Sequence, residues 1–136
     1  MADPRHPRGL IDTSVVIDLE LIEPAHLPVE IAVSAITMAE LAAGPHATTD
    51  PAERARRQDR LQRAEATFEP LPVDAAVARA YGRVYAAVGA AGRKPRGRRV
   101  VDLFIAATAV AAGLPLYTRN PDDFAGLSEM LEIVAV

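Results

Sequence analysis

Short apolar runs alternate with longer helical patterns along this chain, and few architectures accommodate that order. Gly9-Leu-Ile11, Glu30-Ile-Ala-Val-Ser34, Leu71-Pro-Val73, Leu114-Pro-Leu-Tyr-Thr118 and Leu131-Glu-Ile-Val-Ala-Val136 read as strands. They are too short and too continuously apolar to keep one face in water, so they belong in a sheet covered on both sides. The segments between them read as helices. Thr13-Ser14 start one before Val15-Val-Ile-Asp-Leu19, and Thr37-Met-Ala-Glu40 has the form of a capping box ahead of Leu-Ala-Ala and Gly44. Asp50-Pro51 opens a third, over 50–68, with Glu53 completing another box; it is charged on most faces and apolar mainly at Leu61, Ala64 and Phe68. Asp74 caps an alanine-rich helix over 74–91, with Val77, Ala80, Tyr81, Val84 and Val88 on one face. Residues 98–112 are apolar nearly all round, a buried helix that Gly113 ends. The expected fold is α/β: three layers, with a mostly parallel central sheet of about five short strands flanked by helices.

A length of 136 residues suits one domain. Residues 1–7, with two prolines and no periodic pattern, read as a flexible N-terminal tail, and 8–136 as the single domain. Half the residues are apolar and 24% are charged, which excludes extended disorder. No apolar run approaches the roughly 20 residues that span a bilayer. The first residues lack the apolar segment of a secretory signal. The expected setting is therefore the cytoplasm, with no membrane partner. The absence of cysteine excludes disulfides, thiol catalysis and cysteine-based zinc sites. A net charge of −3 argues against a protein that coats nucleic acid indiscriminately. Yet Lys94 is the one lysine among 15 basic side chains, and many of the arginines sit within 54–63 and 93–99. Arginine forks match phosphate oxygens.

In open parallel sheets, ligands bind beyond the carboxyl ends of the strands. Asp12 ends the first strand, Glu40 falls in the first turn of the helix after the second, and Asp122 and Asp123 follow the strand ending at Thr118. Asp102 falls in the first turn of the buried helix. Singly, each has an ordinary structural explanation. Asp12 forms turns, Glu40 completes a cap, Asp122-Asp123 follow Pro121 in a turn, and Asp102 meets a helix dipole beside Arg98 or Arg99. Together they would converge at one edge of the sheet, where carboxylates raise one another's pKa and repel unless a cation neutralises them. All-oxygen ligation suits Mg²⁺ or Mn²⁺, which activate water and stabilise charge on a phosphodiester. The implied chemistry is metal-dependent phosphodiester hydrolysis. The basic run Arg93-Lys-Pro-Arg-Gly-Arg-Arg99 directly precedes Asp102, and Arg96, Arg98 and Arg99 are the candidate contacts to RNA phosphate.

Other chemistries lack support. His6, His26 and His46 have no ligand-like spacing and read as surface residues. No Gly-x-Ser-x-Gly elbow surrounds Ser14, Ser34 or Ser128. Gly92 to Gly97 has the glycine spacing of a phosphate loop, but Arg98-Arg99 stand where Lys-Ser/Thr is needed. Asp18 and Glu20 read as a solvated helix face, and Tyr81 and Tyr85 as core or interface residues. A phospho-receiver domain would need a lysine near the last strands, which this chain lacks.

Four segments, in order and suitably spaced, resemble the motifs of PIN-domain ribonucleases. These are Leu10-Ile-Asp-Thr-Ser-Val15, Ser34-Ala-Ile-Thr-Met-Ala-Glu-Leu41, Asp102-Leu-Phe-Ile-Ala-Ala-Thr-Ala109 and Thr118-Arg-Asn-Pro-Asp-Asp-Phe124. More narrowly, they resemble VapC toxins of VapBC type II toxin–antitoxin pairs. The resemblance implies a PIN-like fold and an RNA endonuclease whose acidic cluster binds Mg²⁺ or Mn²⁺. It carries over Asp12, Glu40 and Asp102 as metal-binding catalytic carboxylates. Many relatives have an acid where this chain has Asn120, so Asp123, just before Phe124, is taken as the fourth acid, acting through water, ahead of Asp122. Thr13, Ser14 and Thr118 are expected to orient carboxylates or bound waters. The resemblance further implies a homodimer and a VapB antitoxin, with helices around 15–21 and 54–68 as groove walls. The neutral Asn120 leaves an alternative, a catalytically inactive PIN scaffold that binds RNA or protein as a regulatory module.

Overall fold

The strands Arg8–Ile11 (β1), Glu30–Ala32 (β2), Leu116–Thr118 (β3) and Ile133–Ala135 (β4) pair in the order β2-β1-β3-β4, each pair parallel. The structure is a computed structural model that describes residues 4–92 and 97–136. Among these residues the sheet has four strands. The fifth, expected at 71–73, is reduced to a single parallel bridge between Ser34 and Leu71. Pro72 has no N–H with which to extend a ladder.

Alternation along the strands sends side chains to both faces. Leu10 and Leu116 are register partners facing one core, and Ile11 and Tyr117 face the other. The first core lies under α4 (Ala75–Ala90) and α5 (Arg98–Ala112), where Val77, Ala80, Val84 and Val88 meet Leu103, Ile105 and Phe124. Each buried leucine or isoleucine there contributes roughly 1.5–3 kcal/mol. Tyr81 belongs to this layer and stacks on Phe104 with ring centroids 4.2 Å apart, whereas Tyr85 is exposed. Gly113 ends α5 in the left-handed conformation, φ 67°.

The second core lies under α1 (Thr13–Ile17), α2 (Ala35–Ala43) and α3 (Pro51–Thr67), where Val15, Val33, Leu41 and Ala64 are buried. The helix after β1 is shorter than its sequence pattern suggests. It ends at Ile17, and 3-10 turns at Leu19–Leu21 and Pro24–His26 carry the chain towards β2. Asp18 and Glu20, expected on a solvated face, reach Arg119 (3.4 Å) and Arg63 (2.7 Å).

Three local expectations need correction. The cap of α2 is Ser34, whose hydroxyl accepts the Ile36 N–H at 3.1 Å, so Thr37 and Glu40 lie inside the helix and form no capping box. Asp50 caps α3 by accepting the Ala52 N–H, but Glu53 grips Arg56 and Arg57 while the Asp50 N–H goes to Thr48. Residues 4–7, read as part of a flexible tail, run beside the sheet. The carbonyls of His6 and Pro7 accept the N–H groups of Val29 and Glu30, and the His6 ring pairs with Glu132. No helix of the described residues is long and apolar enough to cross a membrane.

This topology reverses at β1: the first crossover leads to β2 on one side, and β3 and β4 lie on the other. Such a switch point opens a crevice at the carboxyl ends of the two central strands, here β1 and β3.

Candidate active site

Asp12 leaves β1 directly into that crevice and caps α1. Its Oδ1 accepts the Val15 N–H (3.1 Å) and the Ser14 hydroxyl (2.6 Å). The side chain is only 5% exposed, so these bonds replace water that the carboxylate has lost. Ser14 is held in turn, because its Oγ accepts the Arg119 N–H at 3.0 Å. A first hydrogen-bonded unit thus joins the end of β1 to the residue after β3.

Glu40 comes from the second turn of α2, one turn later than its sequence pattern suggests. The Thr13 hydroxyl donates to its Oε1 at 2.5 Å, and Thr37 Oγ1 lies 3.1 Å from Thr13 Oγ1. Thr37 is fully buried and one helical turn before Glu40, so it braces the hydroxyl that holds the carboxylate. Sequence reading assigned Thr37 to a cap and missed this link; its three-residue spacing from Glu40 was the available signal.

Asp102 also lies beyond the first turn of its helix, since α5 begins at Arg98. The helix dipole, whose effect fades within the first turn, does not account for an acid there. Burial pushes its carboxyl up from 3.8 to about 6; the charge of Asp123 adds to the rise, Arg98 opposes it, and Glu40 and Asp12 add further. Asp12, Glu40, Asp102 and Asp123 therefore share one electrostatic neighbourhood. Asp123 sits in the 3-10 turn Pro121–Phe124, is half-buried and acts on Asp102, whereas Asp122 is exposed. Thr118 is fully buried, and its Oγ1 accepts the Asn120 N–H at 3.0 Å, shaping the turn that carries Asp123.

Of the arginines proposed to contact RNA, Arg98 is exposed and Arg99 half-buried at the start of α5. Arg96 lies outside the described residues. Beside Glu40, a cleft of about 380 Å³ is lined by Thr13, Glu40, Glu53, Arg57, Arg60 and Arg98, and the two α3 arginines were not singled out by sequence.

Among the described residues, no three Asp, Glu or His side chains stand close enough to enclose a metal ion by themselves. The donor set is nonetheless right in kind: carboxylate oxygens suit Mg²⁺ or Mn²⁺, which keep several waters and need few protein ligands. Three carboxylates whose charges act on Asp102, with no closed cage among them, fit a hydrated cation better than a dehydrated one.

The PIN domain model matches residues 9–129. Ribonuclease VapC5 of Mycobacterium tuberculosis is 37% identical over 133 residues, covering 94% of this chain and 95% of that protein. Ribonuclease VapC4 of the same organism is 35% identical, covering 95% and 97%. The crystal structure of VapBC-5 from Mycobacterium tuberculosis, a member of the VapBC family of toxin–antitoxin systems, superposes with a TM-score of 0.81 at 36% identity, over 96% of this chain and 99% of that one. VapBC2 from Rickettsia felis, solved with a promoter DNA fragment, shares the fold at 21% identity, with a TM-score of 0.73 over 95% and 98% of the two chains. With the match running from β1 past the turn that carries Asp123, the chain belongs to the PIN-domain family and, within it, to the VapC ribonuclease toxins.

Proposed function

We propose that this chain is an endoribonuclease toxin that hydrolyses RNA phosphodiester bonds at the acidic edge with Mg²⁺ or Mn²⁺. A VapB-type antitoxin restrains it, it acts in the cytoplasm, and it works as a homodimer. The observation that carries the catalytic reading is the convergence on Asp102: a carboxyl set among Asp123, Glu40 and Asp12 is a poor structural element and a good cation site. Asp12, Glu40 and Asp102 would hold the metal, and Asp123 would act through bound water. When bound, the metal supplies an activated water and positive charge against the phosphoryl oxygens.

The chain's own residues prepare that site. Ser14 and the Val15 N–H fix the orientation of Asp12, and Thr13 fixes Glu40. Thr118 and Asn120 shape the turn bearing Asp123. Arg98 places positive charge beside Glu40 and Asp102, and with Arg99 next to it in the chain it would let a protein of net charge −3 accept a polyanion locally. The antitoxin reading draws on the VapBC complexes and on an apolar groove of about 350 Å³ between Val16, Leu19 and Leu21 on one side and Ala64 and Phe68 on the other. Leu21 is 76% exposed there, an apolar side chain with little cover.

Cleavage of total cellular RNA by purified protein with Mg²⁺ or Mn²⁺ tests the reading, alongside Asp102→Asn and a chelator. Discrete fragments from the wild type alone are expected. No cleavage by folded, antitoxin-free protein in either metal would favour the inactive scaffold.

A further inference from the structure

One face of α3 changes character along its length. Glu53, Arg57, Arg60, Ala64 and Phe68 recur at helical spacing, and the charged half lies beside Glu40 while the apolar half lies beside Val16 and Leu19. Arg60 stands at the change and lines both grooves. Its neighbour Arg57 is committed: Nε bonds Glu53 at 3.1 Å, and a terminal nitrogen bonds the Gly44 carbonyl at 2.9 Å. Arg63 is likewise paired, with Glu20 and Asp59. Arg60, half-buried, makes no hydrogen bond or ion pair among the described residues, although it faces the same cleft as Thr13 and Glu40.

A guanidinium carries five donors in a planar fork, and one held at a cleft without a partner is prepared for an oxyanion. Arg98 lines the same cleft from α5 and also has no hydrogen bond or ion pair among the described residues. The apolar groove supplies no such anion, since its carboxylate, Glu20, is taken by Arg63. The cleft instead meets the acidic edge at Thr13 and Glu40, and a substrate strand lying against carboxylates there needs compensating cations beside it.

We infer that Arg60, with Arg98, grips a backbone phosphate of the RNA strand adjoining the bond to be cut, so that α3 forms one wall of the substrate path. This rests on the ribonuclease reading above. Arg60 is a positioning residue: it holds the strand and does not touch the reacting atoms.

The test uses the full chain and a labelled mixed-sequence single-stranded RNA of about 16 nucleotides. Binding to Asp102→Asn, with and without Arg60→Ala, is measured over about 50–200 mM salt. Arg60→Ala is expected to weaken binding about tenfold and to reduce the slope of log affinity against log salt by about 0.7, the share of one single-strand phosphate contact. With Asp102 intact, it raises KM on the RNA mapped from total-RNA cleavage and leaves kcat within about twofold. Arg60→Lys restores part of the affinity, as a point charge without the fork. Unchanged affinity, slope and KM overturn the inference, including the case in which Arg60→Ala weakens only antitoxin binding. A wild type that neither binds nor cleaves RNA removes the ribonuclease reading and this inference together. A wild type that cleaves RNA, with a KM and an RNA affinity that Arg60→Ala leaves unchanged, removes this inference alone.

Discussion

The β1 corner and the α5 corner of the acidic edge hold their carboxylates in opposite ways. Asp12 is nearly sealed from solvent, yet its oxygen is met by Ser14 and Val15, two and three residues along the chain. Asp102 accepts no hydrogen bond among the described residues, and three of the four charges that act on it are negative. The first corner is local: it forms when α1 forms, because an N-cap carboxylate meets the free N–H groups of the first turn. The second is assembled from α1, α2, α5 and the turn after β3, and it is under repulsion as folded. Stability and function are aligned at Asp12 and opposed at Asp102.

The largest expected effect treats the corners alike. Asp12→Asn and Asp102→Asn each lower metal-dependent RNA cleavage by more than about 100-fold, beyond what losing a ligand's supporting partner costs. Cleavage at the wild-type rate by either variant removes that carboxylate from the metal site. The two then part in stability. Asparagine still caps a helix, so Asp12→Asn stays within about 0.5 kcal/mol of the wild type. Asp102→Asn removes a charge that burial and neighbours disfavour, and the metal-free variant gains about 1–2 kcal/mol after solvent screening. Chemical denaturation without metal reads both values. A destabilised Asp102→Asn would show that repulsion does not dominate that corner.

The same contrast explains what the sequence makes legible. The strand read at residues 9–11, the buried α5 and its glycine stop are local signals, and each has its counterpart in the structure. Asp12 is legible as the end of a strand, although the sequence pattern gives the helix start to Thr13-Ser14 and the structure gives the cap to Asp12. Thr37-x-x-Glu40 matches a capping box and so puts Glu40 one turn early; only tertiary structure shows the buried Ser34 taking the cap while Thr37 turns towards Thr13. The fifth strand fails at Pro72 for a backbone reason visible in the sequence, although its apolar flanks obscured it. Arg60 is legible only in part. Acids at i,i+3 or i,i+4 mark Arg56, Arg57 and Arg63 as paired and leave Arg60 without one, but only tertiary structure shows the cleft that Arg60 faces.

A pH series sharpens the contrast. The Asp102 carboxyl titrates at about 6 in the folded protein, against 3.8 when unperturbed. Between these values the native state binds more protons than the unfolded chain, so this group's contribution falls as pH rises from about 4 to about 6 and levels off above. Subtracting the Asp102→Asn curve from the wild-type curve, both metal-free, isolates that fall, about 1–2 kcal/mol in total after screening. A difference that is flat across the window, or that rises, contradicts the repulsion assigned to Asp102.

The smallest effect falls at the other corner. Ser14→Ala removes the hydroxyl that donates to Asp12 Oδ1 and leaves the Arg119 N–H without its acceptor. That N–H is solvent-accessible and water replaces its partner, so the loss of stability is about 0.5–1 kcal/mol. The consequence for cleavage is larger than for folding. Asp12 keeps the Val15 N–H bond, and α1 therefore survives, but the carboxylate loses the bond that restricts its rotation. Cleavage is expected to fall about tenfold, the scale of losing a partner that orients a ligand. Ser14→Thr keeps a hydroxyl at the position and should recover most of that activity. If Ser14→Ala instead unfolds the chain, the β1 corner is a structural keystone, and the division between a locally satisfied carboxylate and a repelled one must be redrawn.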